Sequence, residues 1–271
     1  MGQKKLIRFE AIKSFPNVLQ YPEGMPGRWA AFFKNYHPLT LELACGKGEY
    51  TVGLAQMYPD HNFLGIDLKG NRIYIGAKKC LEENIGNAAF LRTHIDKLPD
   101  YFQKDEVTEI WLTFPDPQLR KSRATRRLTH PKFIRLYQQI LAPGGQIHLK
   151  TDSPVLYEFT KWVIGMYHLT LLDDIADFHA GPMKEELKIR THYESLDIAQ
   201  TGRCQLGCRI DQQCDLPLSV AARIIRSDRL GAGRETHQRC WKHSSRARVG
   251  LGPERVVGEA GVKILAGKIT G

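Results

Sequence analysis

No stretch of the 271 residues carries the roughly 18 to 20 successive apolar side chains that a membrane-spanning helix needs. The opening segment, "MGQKKLIRFEAIKSF", breaks up its apolar residues with charge, which is not the pattern of a secretory leader. A cytoplasmic protein is expected. Cysteine is scarce, six in all, and the four in 201–271 (Cys204, Cys208, Cys214 and Cys240) match the spacing of no standard zinc finger. Phe and Tyr are missing altogether from 201–271. A third glycine is missing too: "CGKGEYT" has Thr51 where a dinucleotide-binding Gly-x-Gly-x-x-Gly would close, so the loop lacks the full pyrophosphate fingerprint. No RRM or KH signature is visible.

What is there begins with charge. The formal net charge is +10, and residues 201–271 hold 13 Lys+Arg against 6 Asp+Glu. The first 200 residues are therefore close to neutral, and the basic run that follows Asp116 is a local feature. Such a run suits an anionic partner, although a solvated charged face is the commoner reason for one.

From Leu39 the pattern is regular. Buried strands are expected over 39–45, 62–68, 88–94, 109–114 and 146–152. Helices are expected over 48–59, 71–85, 130–145 and 153–167, the last with a Ser cap and Pro at its first position. This alternation predicts an α/β, Rossmann-like fold with a doubly wound, mostly parallel sheet. Residues 1–36 read as an N-terminal arm with a short helix over 28–35, 37–200 as the main domain, and 201–271 as an atypical tail.

Gly46 and Gly48 lie between the first strand and first helix, where glycine lets the backbone turn and a ligand approach closely. Glu42 stands on that strand, and Asp67 ends the next one, where an acid can accept hydrogen bonds from ribose hydroxyls. The order strand, glycine loop, helix, strand, acid predicts an adenosine cofactor. S-adenosylmethionine carries a ribose and no phosphate, so it fits a loop without the third glycine, and "LAPGG" leading into the fifth strand agrees. In "FPDP", prolines on both sides of Asp116 remove backbone donors and restrict the chain more than a surface turn requires.

With "LELACGKGEYTVGLA", "NFLGIDLKGNR", "EIWLTFPDPQLRKSRATRRLTHPKF", "HLKTD" and "RTHYE" taken together, the sequence resembles the bacterial tRNA (guanine-N7-)-methyltransferases over residues 1–200. The resemblance implies methyl transfer from S-adenosylmethionine to N7 of a guanine in the tRNA variable loop. It implies a catalytic Asp116 at the methyl end of the cofactor. Glu42, Gly46, Gly48, Asp67 and His94 would complete the cofactor site. Asp152 and Thr191, His192, Tyr193 and Glu194 would face the guanine, with Arg120 at a substrate-contacting position.

The neighbouring cations Lys121, Arg123, Arg126 and Arg127 would hold RNA phosphates, helped by Lys4, Lys5 and Arg8 in the arm. Two residues depart from the family pattern. His94 replaces an Asp or Asn near the adenine, and Ala44 replaces a loop glycine, which a negative φ would accommodate. Family members close the sheet with a final hydrophobic strand, and here the likeness stops near Gln200. That predicts a missing or altered last strand. A reading-frame change explains the tail's composition better than a zinc-binding extension that also uses His243.

The partners expected are tRNA and the cofactor, with no metal, no membrane and no stable protein partner, in a monomer or homodimer. The competing functions are an NAD-dependent dehydrogenase and a non-catalytic RNA-binding protein. The first should carry the third glycine and a base near the nicotinamide; the second could lose the cofactor pocket while keeping the basic run.

Overall fold

The computed structural model describes residues 2–175, 184–195, 205–209 and 222–223, the last two stretches for their backbone only. All of them lie in the unit Met1–Arg229. Six mutually parallel strands form the body of the sheet: β1 (Val18–Gln20), β2 (Leu39–Leu43), β3 (Asn62–Asp67), β4 (Ala88–Arg92), β5 (Val107–Thr113) and β6 (Leu141–Lys150). Their order across the sheet is β1-β4-β3-β2-β5-β6. The helices are α1 (Gly2–Ala11), α2 (Trp29–Phe33), α3 (Glu49–Met57), α4 (Gly70–Glu82), α5 (Pro131–Ile140), α6 (Pro154–Met166) and α7 (His192–Ser195).

Every residue of β2 and β3 is buried, as central parallel strands covered on both faces must be. Alternate side chains serve two cores. Leu41, Leu43, Leu64, Ile66, Ile110 and Leu112 face one core, shared with Trp29 and Tyr137. Phe63, Phe90 and Trp111 face the other, shared with Tyr50, Leu54 and Ile73. Glu42 points to the second face, between Leu41 and Leu43, and is a buried acid for that reason of register.

Local chemistry sets the helix ends. Ser153 Oγ accepts from the N–H of Leu156, and Pro154 opens α6. His130 Nδ1 accepts from the N–H of Lys132 ahead of α5, whose buried residues Phe133, Ile134, Tyr137 and Ile140 recur at helical spacing.

One expectation is corrected, and two further findings stand beside it. The helix expected over 130–145 stops at Ile140; Leu141 is already extended and pairs with Val107, so "LAPGG" belongs to β6. Within residues 1–36, expected to form an arm, Val18–Gln20 pairs in parallel with β4, and Gly70 of α4 sits so close to Phe9 and Ile12 that a Cβ there would lie 2.5 Å from Ile12 Cδ1. The β6 edge, where the last strand was expected to be missing or altered, carries β7 (Gln205–Arg209) in antiparallel pairing, and β8 (Ala222–Arg223) also pairs with β6. The remaining tail, with Cys204, Cys214, Cys240 and His243 of the zinc alternative, lies outside the described residues. No described helix is long and apolar enough to cross a membrane.

Candidate active site

From β2 the sheet runs one way through β3 to β4 and the other way through β5 to β6, so the strand order reverses between β2 and β5. In an open α/β sheet the crevice beyond the carboxyl ends of such strands is where ligands bind. Most of the sequence-predicted site residues cluster at this edge, while Glu42 lies within β2 and Glu194 in α7. Residues 44–48 leave β2, Asp67 ends β3, His94 follows β4, 114–118 leave β5, and Asp152 follows β6.

The loop after β2 is built from left-handed residues. Ala44 has φ +57°, Gly46 +58° and Gly48 +74°. The negative φ that would have accommodated Ala44 is not adopted: the alanine takes the left-handed conformation of the glycine it replaces. Gly48 has no alternative, because a Cβ there would lie 2.4 Å from the Phe90 ring. At Gly46 a Cβ would meet nothing within 4 Å, so the loop faces open space at that point.

Glu42 secures this loop from beneath. Its Oε2 accepts from the Thr51 N–H at 2.8 Å and the Thr51 hydroxyl at 2.5 Å, and its Oε1 accepts from the Thr113 hydroxyl at 2.9 Å. Thr51, which stands where a third glycine would be, thus ties the first turn of α3 to β2. Burial raises the carboxyl of Glu42 to about 7, against the lowering effect of the threonine hydrogen bonds. Asp67 accepts from the Gly46 N–H at 3.0 Å with one oxygen and from the Lys69 N–H at 2.8 Å with the other.

The loop after β5 is equally fixed. Phe114 and Gln118 both have φ +45°, bracketing Pro115, Asp116 and Pro117. Asp116 is exposed, and its Oδ1 accepts from the Gln118 N–H at 2.9 Å. The Phe114 N–H donates to the Lys150 carbonyl at 2.7 Å. Arg127 is buried, unlike its neighbours in the basic run. Its Nε donates to the Pro117 carbonyl at 3.1 Å and one terminal nitrogen to the Gln118 carbonyl at 3.3 Å, with the guanidinium 4.4 Å from the Phe159 ring centre. Desolvation lowers its pKa. Arg120, Lys121, Arg123 and Arg126 are exposed on and beside the 3-10 turn Lys121–Arg126, while Lys132 pairs with Asp96.

"RTHYE" folds into a capping box. Thr191 donates its N–H (2.8 Å) and hydroxyl (3.1 Å) to Glu194 Oε2, and its Oγ accepts the Glu194 N–H at 3.2 Å. Glu194 Oε1 forms an ion pair with Lys150 Nζ at 2.8 Å, with both side chains nearly inaccessible. Tyr193 donates its hydroxyl to Asp152 Oδ2 at 2.9 Å and lays its ring 5.5 Å from that of Phe114. The His192 N–H donates to Glu49 at 3.2 Å. Asp152 does not cap α6, since Ser153 does.

The structure therefore brings Asp116, Asp152, Tyr193, Thr191 and Glu194 into one connected assembly through Phe114 and Lys150. Glu42, Gly46, Gly48 and Asp67 form a second group around the β2 loop. His94 is exposed at the start of the 3-10 turn Ile95–Asp100, apart from the hydrogen bonds that build either group. Sequence reasoning passed over Lys150 and Thr113, and noted Thr51 only as the residue in place of a third glycine. A single lysine inside the apolar run "IHLK" was the available signal for the first.

The profile of a family described as "Putative methyltransferase" matches residues 36–202. A tRNA (guanine-N(7)-)-methyltransferase of Porphyromonas gingivalis is 48% identical over 196 residues, 68% of this chain and 80% of the relative. That of Bacteroides thetaiotaomicron is 44% identical over 206 residues, 72% and 80% respectively. A 16S rRNA methyltransferase, KamB, superposes with TM-score 0.50 at 14% identity, over 79% of this chain and 99% of that one, a likeness of fold. The sheet is that of the Rossmann-like class I methyltransferases, and the chain belongs to the family of the tRNA (guanine-N(7)-)-methyltransferases.

Proposed function

We propose that this chain transfers the methyl group of S-adenosylmethionine to N7 of a guanine in the variable loop of tRNA. The observation that carries the reading is the meeting, at the β2/β5 switch point, of a glycine loop open at Gly46 with a rigidly held acid at 116. The names of its relatives support the substrate.

The residues present fit the cofactor. Gly46 leaves room for close approach, Asp67 lies at the ribose end, and no phosphate cradle is needed where Thr51 replaces glycine. S-adenosylmethionine supplies an electrophilic methyl on a positive sulfur. Glu42 serves the cofactor by holding the loop, because its oxygens already accept from Thr51 and Thr113. Gly48 and His94 complete this side.

Guanine N7 has an in-plane lone pair and no proton, so the chain needs no base there, only alignment and exclusion of water. Asp116, already oriented by its loop, stabilises the positive charge that develops on the purine. Asp152, held by Tyr193, accepts from guanine N–H groups, and the Thr191–Glu194 cap with His192 shapes that side of the pocket. Arg120, Lys121, Arg123 and Arg126 hold phosphates of the same RNA, with Lys4, Lys5 and Arg8 beyond. Arg127 acts on the acid loop instead of on RNA. Residues 37–200 form the methyltransferase domain between flanking segments 1–36 and 201–271, and the protein works in the cytoplasm without a stable protein partner.

Calorimetry with S-adenosylmethionine and with NADH, followed by labelled methyl transfer to tRNA, tests the reading. Binding of the first with transfer to tRNA is expected. Binding of NADH alone, or cofactor binding with no transfer, overturns it.

A further inference from the structure

Lys150 is the most deeply buried charged residue among the described residues, 1% exposed at the end of β6. Its Nζ pairs with Glu194 at 2.8 Å and donates to the carbonyls of Leu187 at 3.4 Å and Ile189 at 3.2 Å. The same ammonium lies 5.0 Å from the Tyr50 ring centre and 5.3 Å from that of Phe114. Its carbonyl accepts the Phe114 N–H. One residue thus joins the acid-bearing loop after β5, the helix after the glycine loop, and the segment 184–195.

A buried ammonium is tolerated only where carboxylate, carbonyls and ring faces replace its water. Leu187 and Ile189 offer carbonyls at the C-terminal end of the short 3-10 turn Glu185–Lys188, and Thr191 orients Glu194 from the other side. Three kinds of contact, five in all, converge on one nitrogen from three chain segments, which is more than strand β6 needs to stay paired.

We propose that Lys150 is a positioning residue for the methyl transfer proposed above, a clamp that sets the guanine-facing cap 191–194 against the Asp116 loop. It touches neither substrate. Its effect passes through Glu194 to the cap, whose Tyr193 orients Asp152, and through Phe114 to the "FPDP" loop. Removing the charge leaves the Glu194 carboxylate buried with Thr191 alone, and the cap swings away from the loop.

The test uses the full chain with Lys150→Met, Glu194→Gln and the double variant. In Lys150→Met, amide hydrogen exchange over 185–195 is expected to accelerate about tenfold while β2 and β3 stay protected. S-adenosylmethionine affinity should stay within about twofold, and single-turnover transfer to tRNA should fall about a hundredfold. Adding Lys150→Met to Glu194→Gln should cost about threefold or less, because the two act as one unit. Unchanged exchange over 185–195, unchanged transfer, or two fully additive losses overturn the proposal. Should Lys150→Met unfold throughout, Glu194→Gln alone must show the local acceleration, and its absence overturns the clamp. A wild-type chain that binds tRNA without methylating it refutes the function, whereas the exchange results still decide on Lys150.

Discussion

Tyr193 donates its hydroxyl to Asp152 at 2.9 Å, which links a residue of the capping box to the acid that follows β6. Its ring also packs on Phe114, so a single phenol spans two of the loops that line the crevice. The hydrogen bond to Asp152 holds the Tyr193 hydroxyl above its ordinary pKa, and the group stays a donor at neutral pH. Tyr193→Phe keeps the ring contact and frees Asp152. Methyl transfer should fall about tenfold, equal to about 1.4 kcal/mol, with little change in melting temperature. Steady-state kinetics beside a thermal melt checks both parts.

Ala44 at φ +57° holds strain that glycine would not. Ala44→Gly should stabilise the fold by about 1 kcal/mol, a rise of roughly 2–4 °C in Tm for a domain of this size. Differential scanning calorimetry measures it. A drop in Tm would mean that the loop depends on the methyl group for packing.

Glu42 makes stability depend on pH. Its folded pKa of about 7 lies above the ordinary 4.5, so between those values the native state binds more protons than the unfolded one. Its share of stability is full below about pH 4.5 and declines as pH rises through 7, by on the order of 3 kcal/mol. Glu42→Gln should flatten this part of the curve. Urea unfolding at pH 5, 6, 7 and 8 on both proteins reads the difference.

Arg127 and Arg123 look alike in the sequence and are opposite in the fold. Arg123→Ala, at an exposed site, should weaken tRNA binding and reduce its salt slope by about one unit. Arg127→Ala strips the Pro117 and Gln118 carbonyls of their donors, so it should slow transfer while leaving the salt slope unchanged. Filter binding across a salt series separates the two.

Strands and helices between Leu39 and Met166 were legible because their apolar periodicity is strong, and Pro131 and Pro154 mark two helix starts. The end of α5 was not, because Leu141 suits either a helix or a strand and only its pairing with Val107 decides. β1 was missed because three residues bear no period of their own and gain their place from β4. At the site, the motifs announced the acids but not their supports. Whether Arg127 turns inward, whether Ala44 adopts a positive φ, and which carboxylate meets Lys150 are tertiary facts without a local signal.

The most direct test of the account is the identity of the methylated atom. tRNA lacking the modification is incubated with the protein and S-adenosylmethionine, and its nucleosides are resolved by mass spectrometry. The account predicts 7-methylguanosine from the variable loop, formed by the wild type and lost in Asp116→Ala. A methyl on any other atom, or undiminished 7-methylguanosine from Asp116→Ala, contradicts it.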